Sequence, residues 1–161
     1  MIELYEGVPG SGKSYHAICE KFLPWVKQGR RLYIAVDGIY LDRLSLFTGI
    51  DLQTLEQQIT IWKDSVEVLQ AFPHVEPGSA VIIDEAQTVF RSMQKVEPGL
   101  LRWLETHRHY GVDILLMSQD FRQMSQGVTR LIEATVKFRK LAFVGLSKKY
   151  QGKVRGNPED N

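Results

Sequence analysis

Gly7-Val8-Pro9-Gly10-Ser11-Gly12-Lys13-Ser14 lies close to the start of the chain and matches the pattern G-x-x-x-x-G-K-[ST] at every fixed position. An apolar-aromatic run, Ile2 to Glu6, precedes it, and helical periodicity follows it from Lys13 to about Lys27. Glycines let a backbone curl so that its N–H groups face phosphate oxygens, and the N-terminus of the next helix attracts the same anion. The sequence therefore predicts a strand, a phosphate-binding loop and a helix, in that order.

The residues of this loop have separate predicted roles in holding ATP and Mg²⁺. The Lys13 ammonium reaches the β- and γ-phosphates, and the Ser14 hydroxyl is a ligand for Mg²⁺. Tyr15 follows the loop directly and is placed to border the nucleotide. The predicted nucleotide-binding residues are Gly7, Val8, Pro9, Gly10, Ser11, Gly12, Lys13, Ser14 and Tyr15.

The rest of the chain alternates apolar strands with helices. Ala80–Ile83 is apolar throughout, and Val112–Met117 is apolar except for Asp113, which is typical of strands that are covered on both faces. Pro24 is expected to kink the first helix or to end it early. This order predicts an α/β fold in three layers, with a mostly parallel sheet between helices on both faces. The other predicted strands are 32–36, 59–62, 134–141 and 142–146. The other predicted helices lie within 38–58, at 64–72 with Asp64 as its cap, and at 98–110.

Length and composition limit the class of protein. The chain has 161 residues and a formal net charge of +1, so it has room for one core, and its bulk charge does not mark a binder of nucleic acid or membranes. The one cysteine excludes an internal disulfide, and no window is apolar enough to span a membrane. We expect one soluble domain over residues 1–146 and a flexible tail, rich in Gly and Lys, over residues 147–161.

Polar side chains follow two of the apolar strands. Asp84 and Glu85 end one of them, and Ser118 and Gln119 end the next. Because the carboxyl ends of parallel strands meet at one edge of a sheet, we expect all of these side chains near the phosphate loop. Asp84 is predicted to hold Mg²⁺ together with Ser14, and Glu85 to act as the general base for the attacking water. Gln119 or Ser118 is predicted to sense the γ-phosphate.

A catalytic arginine is expected to come from a neighbouring subunit. Arg108 lies near the end of the helix predicted at 98–110, from where it would reach the neighbour's nucleotide and stabilise charge in the transition state. Arg130, Arg139 and Lys140 are alternatives for that role.

The two halves of the chain differ in charge. Residues 1–90 hold 7 Lys and Arg against 12 Asp and Glu, whereas residues 91–161 hold 13 against 7. This asymmetry fits attraction between neighbouring subunits, a basic face for an anionic polymer such as single-stranded DNA, or an ordinary solvated surface. Composition alone leaves the three open.

Four blocks of the sequence resemble the zonula occludens toxin (Zot) family, which includes the inner-membrane assembly ATPase of filamentous phages. The blocks occur in the expected order, and the late Phe138-Arg139-Lys140-Leu141 is also similar. They are Gly7–Ser14, Val81-Ile82-Ile83-Asp84-Glu85-Ala86-Gln87, His107-Arg108-His109-Tyr110-Gly111-Val112-Asp113 and Ser118-Gln119-Asp120.

The resemblance implies a RecA-like P-loop NTPase domain of the class with an extra strand between the two Walker motifs. It implies that Lys13 and Ser14 bind ATP–Mg²⁺, that Asp84 and Glu85 are the Walker B pair, and that Gln119 is the sensor. It also implies an ATPase on the cytoplasmic side of the host inner membrane. Family members usually continue into a transmembrane helix, so contact with that membrane is expected through a segment that is not in this chain.

The leading hypothesis is therefore an ATP-hydrolysing motor that powers assembly and extrusion of filamentous phage. Such a motor is expected to form a homo-oligomeric ring, of which a hexamer is one form, and to meet phage assembly and coat proteins and single-stranded DNA. Two alternatives use the same loop. One is a nucleotide-gated module that docks proteins and hydrolyses little, and the other is a P-loop kinase for a small molecule.

Overall fold

Seven strands form one sheet, and the computed structural model describes them within residues 1–140 and 150–158. Along the sheet the order is β3-β2-β4-β5-β1-β6-β7. Every neighbouring pair is parallel except β6 and β7, which are antiparallel. The strands are β1 Ile2–Glu6, β2 Leu32–Ala35, β3 Ile59–Ile61, β4 Ala80–Ile83, β5 Asp113–Ser118, β6 Ala134–Lys140 and β7 Tyr150–Arg155.

Short helices connect the strands, close to the predicted positions. A π-helical turn, Ile18–Phe22, joins the first two of them into one continuous helical run. Pro24 therefore does not end the helix, because it occupies the first turn of the second segment, where its missing N–H costs little. The helices are α1 Lys13–Ala17, α2 Leu23–Lys27, α3 Leu41–Thr48, α4 Leu52–Gln58, α5 Ser65–Ala71, α6 Ala86–Val89, α7 Pro98–Thr106 and α8 Gln126–Thr129.

Successive side chains of the strands point to opposite faces of the sheet, and they pack into two separate cores, one on each face. On one face, Val81 and Ile83 of β4 pack with Leu100 and Leu104 of α7. On the other face, Ile82 packs in a cluster that includes side chains of α1 to α4. The sheet thus lies between two helical layers, which confirms the predicted three-layer α/β architecture.

Local sequence signals explain several helix ends. Asp64, predicted to cap a helix, accepts hydrogen bonds from the backbone N–H groups of Val66 and Glu67 at the start of α5, both at 2.9 Å. Gly111 takes the left-handed conformation, φ +64°, that ends the turn after α7. Among the helices of the described ranges, none combines the length and the apolar character that a bilayer crossing requires.

The end of the chain differs from the predicted flexible tail. Residues 150–155 form β7, which pairs with β6 from Lys140↔Tyr150 to Thr135↔Arg155. Asn157 then donates through Nδ2 to the backbone oxygens of Arg130, at 3.0 Å, and Ile132, at 2.8 Å. The composition of this segment concealed the alternation of its strand residues. The strand predicted at 142–146 lies outside the described residues.

We predict that Asn157→Ala lowers the free energy of unfolding by about 1–3 kcal/mol, because it removes a donor from backbone carbonyls between α8 and β6. Urea denaturation followed by circular dichroism measures the change. Gln53→Ala, on an exposed position of α4, is the control and should shift stability by less than about 0.5 kcal/mol. Equal stability of the wild type and Asn157→Ala would mean that this segment is frayed after all.

Candidate active site

The predicted phosphate loop curls tightly against the end of β6. Lys13 is 6% exposed, and its Nζ donates a hydrogen bond to the backbone oxygen of Gly7 at 2.6 Å. A Cβ atom added at Gly7 would lie 2.6 Å from the backbone oxygen of Phe138, so only glycine fits there. Gly12 caps α1 with φ +97°, a conformation that other residues rarely adopt. The loop thus has the curl and the inward lysine that phosphate binding requires.

Ser14 and Asp84, the predicted metal ligands, are in contact. The Ser14 hydroxyl donates to Asp84 Oδ2 at 3.1 Å. Since β5 lies between β1 and β4, the loop after β1 and the carboxylate after β4 meet across the end of one intervening strand. This arrangement matches the extra strand that the family resemblance implied.

The oxygen atoms of Ser14 and Asp84 fit Mg²⁺. This ion prefers hard oxygen ligands and usually binds through one or two protein groups, water and substrate phosphates. Within residues 1–140 and 150–158, no group of three or more His, Cys, Asp or Glu side chains is arranged to hold a metal. The two oxygen donors of Ser14 and Asp84 suit a metal that shares its other ligands with a bound nucleotide.

Glu85, the predicted base, has a strained backbone and a restrained carboxylate. Its φ of +48° is the one positive value found in the described ranges for a residue other than glycine. Gln119 Nε2 donates to Glu85 Oε2 at 3.2 Å, which brings the predicted sensor into direct contact with the predicted base. Gln87 Nε2 donates to the same oxygen.

Sequence reasoning missed the role of Gln87. The sequence did contain a signal, since Gln87 lies two residues after Glu85. Its side-chain amide can reach the Glu85 carboxylate when the backbone at Glu85 is left-handed. The left-handed conformation itself could not be read from a glutamate.

A cleft of about 680 Å³ opens beside the loop and extends along the end of β6. Gln119 lines it on one side, and Phe138, Arg139 and Lys140 line it on the other. Lys140 approaches the tip of the loop, since its Nζ lies 3.0 Å from where a Cβ atom on Gly10 would be. Of the cations proposed for a role at the nucleotide, Arg139 and Lys140 therefore lie near the phosphate loop of their own chain.

Arg108 lies at the opposite end of the sheet. It forms an ion pair with Glu133, which precedes β6 and also accepts a hydrogen bond from the Ile2 N–H at 3.1 Å. The hydrogen bond and the charge of Glu133 raise the pKa of Arg108, whose side chain is 65% exposed. Burial acts to raise the pKa of Glu133, but its hydrogen bonds with Arg108 and Ile2 outweigh burial and lower it. The structure does not bring Arg108 to the nucleotide loop of its own chain.

Tyr15 borders a different concavity. Its side chain is 66% exposed and lines a groove of about 370 Å³ together with Tyr40 and Phe47. This groove does not share lining residues with the cleft beside Gly7. Tyr15 therefore follows the loop in sequence, while its side chain faces α3 and the segment before it.

A family model described as zonular occludens toxin (Zot) matches residues 1–159 of the chain. The Gene 1 protein of Xanthomonas phage phiLf is 26% identical over 164 residues, which cover 94% of this chain and 37% of the phage protein. The zona occludens toxin of Vibrio cholerae is 24% identical and is matched over 42% of its length. The chain thus spans between 36% and 42% of the length of the curated relatives it matches.

Solved structures share the fold. The N-terminal domain of zonular occludens toxin from Neisseria meningitidis matches with a TM-score of 0.58 and 20% identity, over 99% of this chain and 95% of that domain. The genome packaging NTPase B204 of Sulfolobus turreted icosahedral virus 2, in complex with ATPγS, matches with a TM-score of 0.60 and 21% identity, over 88% of this chain and 77% of B204. The predicted P-loop NTPase fold is confirmed.

The left-handed backbone at Glu85 gives a test that does not depend on catalysis. We predict that Glu85→Gly is more stable than Glu85→Ala by about 1 kcal/mol, because both lack the carboxylate but alanine is strained at φ +48°. Urea denaturation of the two variants measures the difference. The same pair at Glu105, an exposed position of α7, is the control and should show the opposite order. If Glu85→Ala is more stable than Glu85→Gly, the assignment of a left-handed backbone to Glu85 is wrong.

Proposed function

The chain belongs to the zonular occludens toxin (Zot) family, and from that premise we propose that it is an ATP-hydrolysing motor domain of a phage assembly machine. One observation carries the proposal: the Ser14 hydroxyl contacts Asp84 Oδ2 at 3.1 Å beside a phosphate loop whose lysine points inward. The adjacent contact between Glu85 and Gln119 supplies the groups that hydrolysis needs in addition to binding.

Backbone N–H groups of residues 10–14 and the Lys13 ammonium hold the phosphates, which requires Lys13 to exchange the Gly7 oxygen for phosphate oxygens. Bound Mg²⁺ would be held by Ser14 and Asp84 and would neutralise phosphate charge. Glu85 takes a proton from water, the resulting hydroxide bonds to the γ-phosphorus, and the bond to the β–γ bridging oxygen breaks to give ADP and phosphate. Gln119 and Gln87 fix the position of the Glu85 carboxylate.

We predict that Glu85→Gln lowers ATP hydrolysis by about 10²- to 10⁴-fold, because the amide cannot accept the proton, while affinity for ATP stays within a few-fold of wild type. Lys13→Ala should abolish both binding and hydrolysis. Phosphate release and binding of a fluorescent ATP analogue, each with and without magnesium, measure these effects. Glu105→Gln is the matched control on an exposed helix position.

Hydrolysis by Glu85→Gln at the wild-type rate would refute the assignment of the base. Saturable ATP binding by the wild type without turnover would instead favour the nucleotide-gated docking module.

The biological role that we propose is assembly and extrusion of filamentous phage at the host inner membrane, with the domain on the cytoplasmic side. Similarity to phage proteins supports this role, and so does a fold shared with a viral genome packaging NTPase. The proposed partners are phage assembly and coat proteins, single-stranded DNA and further copies of this chain. The proposed homo-oligomer is a ring, since a head-to-tail contact that closes gives every subunit the same two neighbours.

Within such a ring, we assign Arg108 to the active site of the neighbouring subunit. Arg108 lies at the end of the sheet opposite the phosphate loop of its own chain, and its side chain is 65% exposed and so open to a neighbouring subunit. Arg108 Nε and Nη2 donate to both carboxylate oxygens of Glu133, so the neighbour's nucleotide must replace this two-point contact with a charge-assisted contact of its own.

We predict that Arg108→Ala and Glu85→Gln are each inactive alone and that mixing the two restores part of the ATP hydrolysis. In a mixed ring, a subunit with intact Glu85 can sit beside a subunit with intact Arg108. Phosphate release after mixing at several protein concentrations measures the recovery. Mixing Arg108→Ala with a variant that carries both substitutions is the control and should restore nothing. No recovery in mixtures that sedimentation shows to be oligomeric would contradict the assignment.

A further inference from the structure

The hairpin of β6 and β7 carries four cationic side chains on one face. Lys137 lies directly opposite Lys153 in the antiparallel register, and Thr135 lies opposite Arg155. Since alternate residues of a strand share a face, Arg139 joins them. The side chains of Lys137, Arg139, Lys153 and Arg155 line a small concavity of about 100 Å³. We call these four residues the basic face.

This arrangement brings like charges close together. Like charges directly opposite each other on paired strands destabilise the pair. Lys137 Nζ contacts Glu6 Oε2 at 3.2 Å. Neither Arg139 nor Lys153 has a carboxylate within ion-pair distance in the part of the chain that the structure describes. The face therefore concentrates positive charge beside the active-site cleft, which Lys137 and Arg139 also line.

We propose that the basic face binds the sugar-phosphate backbone of single-stranded nucleic acid. This inference rests on the proposed function and identifies the surface on which the motor holds the nucleic acid. Cations two residues apart on a strand are separated by about 6.6–6.8 Å, comparable to successive phosphates of an extended single strand. The concavity is small, at about 100 Å³, which suits contact with one phosphate backbone. An anionic bilayer fits less well, because exposed Val154 alternates with Lys153 and Arg155 and so lies on the opposite face.

Lys137 connects this face to the active site. Its partner Glu6 directly precedes the phosphate loop, and Glu6 Oε1 accepts a hydrogen bond from the Phe121 N–H at 3.3 Å, two residues after Gln119. The Glu6 side chain is 12% exposed, so loss of its cation is costly. A phosphate that draws Lys137 away from Glu6 therefore changes the charge next to Gly7 and Gln119. Nucleic acid held on the basic face would act on hydrolysis by this route.

The test is binding of a fluorescent 30-nucleotide oligothymidine to the full chain without nucleotide, measured by anisotropy between 50 and 150 mM salt. Phosphate contacts by Arg139 and Lys153 alone predict a slope of about −1.4 for log affinity against log salt, and each lost contact reduces its magnitude by about 0.7. Lys153→Gln and Arg139→Gln should each weaken binding about 4-fold at 150 mM salt and about 8-fold at 50 mM. Lys27→Gln and Arg102→Gln, exposed on α2 and α7, remove the same charge elsewhere and should leave affinity within about 2-fold.

Lys153→Gln should keep the wild-type rate of ATP hydrolysis without oligonucleotide and require about 4- to 8-fold more oligonucleotide for any stimulation. Equal affinity in all four variants would overturn the proposal. So would loss of binding to phosphatidylglycerol vesicles in Lys153→Gln with oligonucleotide binding intact, which would indicate a lipid site. Because binding is measured without ATP, a wild type that never hydrolyses ATP refutes the proposed function and leaves this test standing.

Discussion

The contact between Ser14 and Asp84 depends on the position of β5. That strand separates β1 from β4, so the loop and the carboxylate approach each other over its end, where Gln119 follows. Hydrogen bonds hold this geometry on both sides: the Gly7 N–H donates to the Ser118 oxygen at 3.1 Å, and the Asp84 N–H donates to the Ala35 oxygen at 2.8 Å. Backbone hydrogen bonds of the sheet therefore hold the strand ends in place without any contribution from the side chains of the site.

Patterns with a local physical cause could be predicted from the sequence. The apolar strand Ala80–Ile83, the cap at Asp64 and the glycine-rich turn between β1 and α1 each depend on residues within a few positions of one another, and their conformations were predicted correctly. The carboxyl ends of parallel strands meet at one edge of a sheet, and this rule correctly predicted that Glu85 and Gln119 lie close together although they are far apart in the sequence.

Features that depend on distant pairing could not be predicted in the same way. β7 is stabilised by pairing with β6, so a segment whose Gly- and Lys-rich composition predicted flexibility forms an ordered strand. The position of Arg108 is set by its ion pair with Glu133. Glu133 is in turn held at the start of β1 by a hydrogen bond from the Ile2 N–H. The strained backbone of Glu85 is set by the turn between β4 and α6, and a glutamate gives no sign of it. For β7 and Arg108 the deciding partner is distant in the sequence, whereas for Glu85 the turn is local and no residue type in it indicates the left-handed backbone.

The charged edge of the sheet limits how copies of the chain can associate. A sheet that ends in a strand with free backbone groups invites another strand to pair with it. At β7, a second copy would bring its own Lys153 and Arg155 against those of the first, and such edge-to-edge pairing is electrostatically opposed. In the proposed ring, copies of the chain would therefore not join through β7, which leaves this edge of the sheet available to a polyanion.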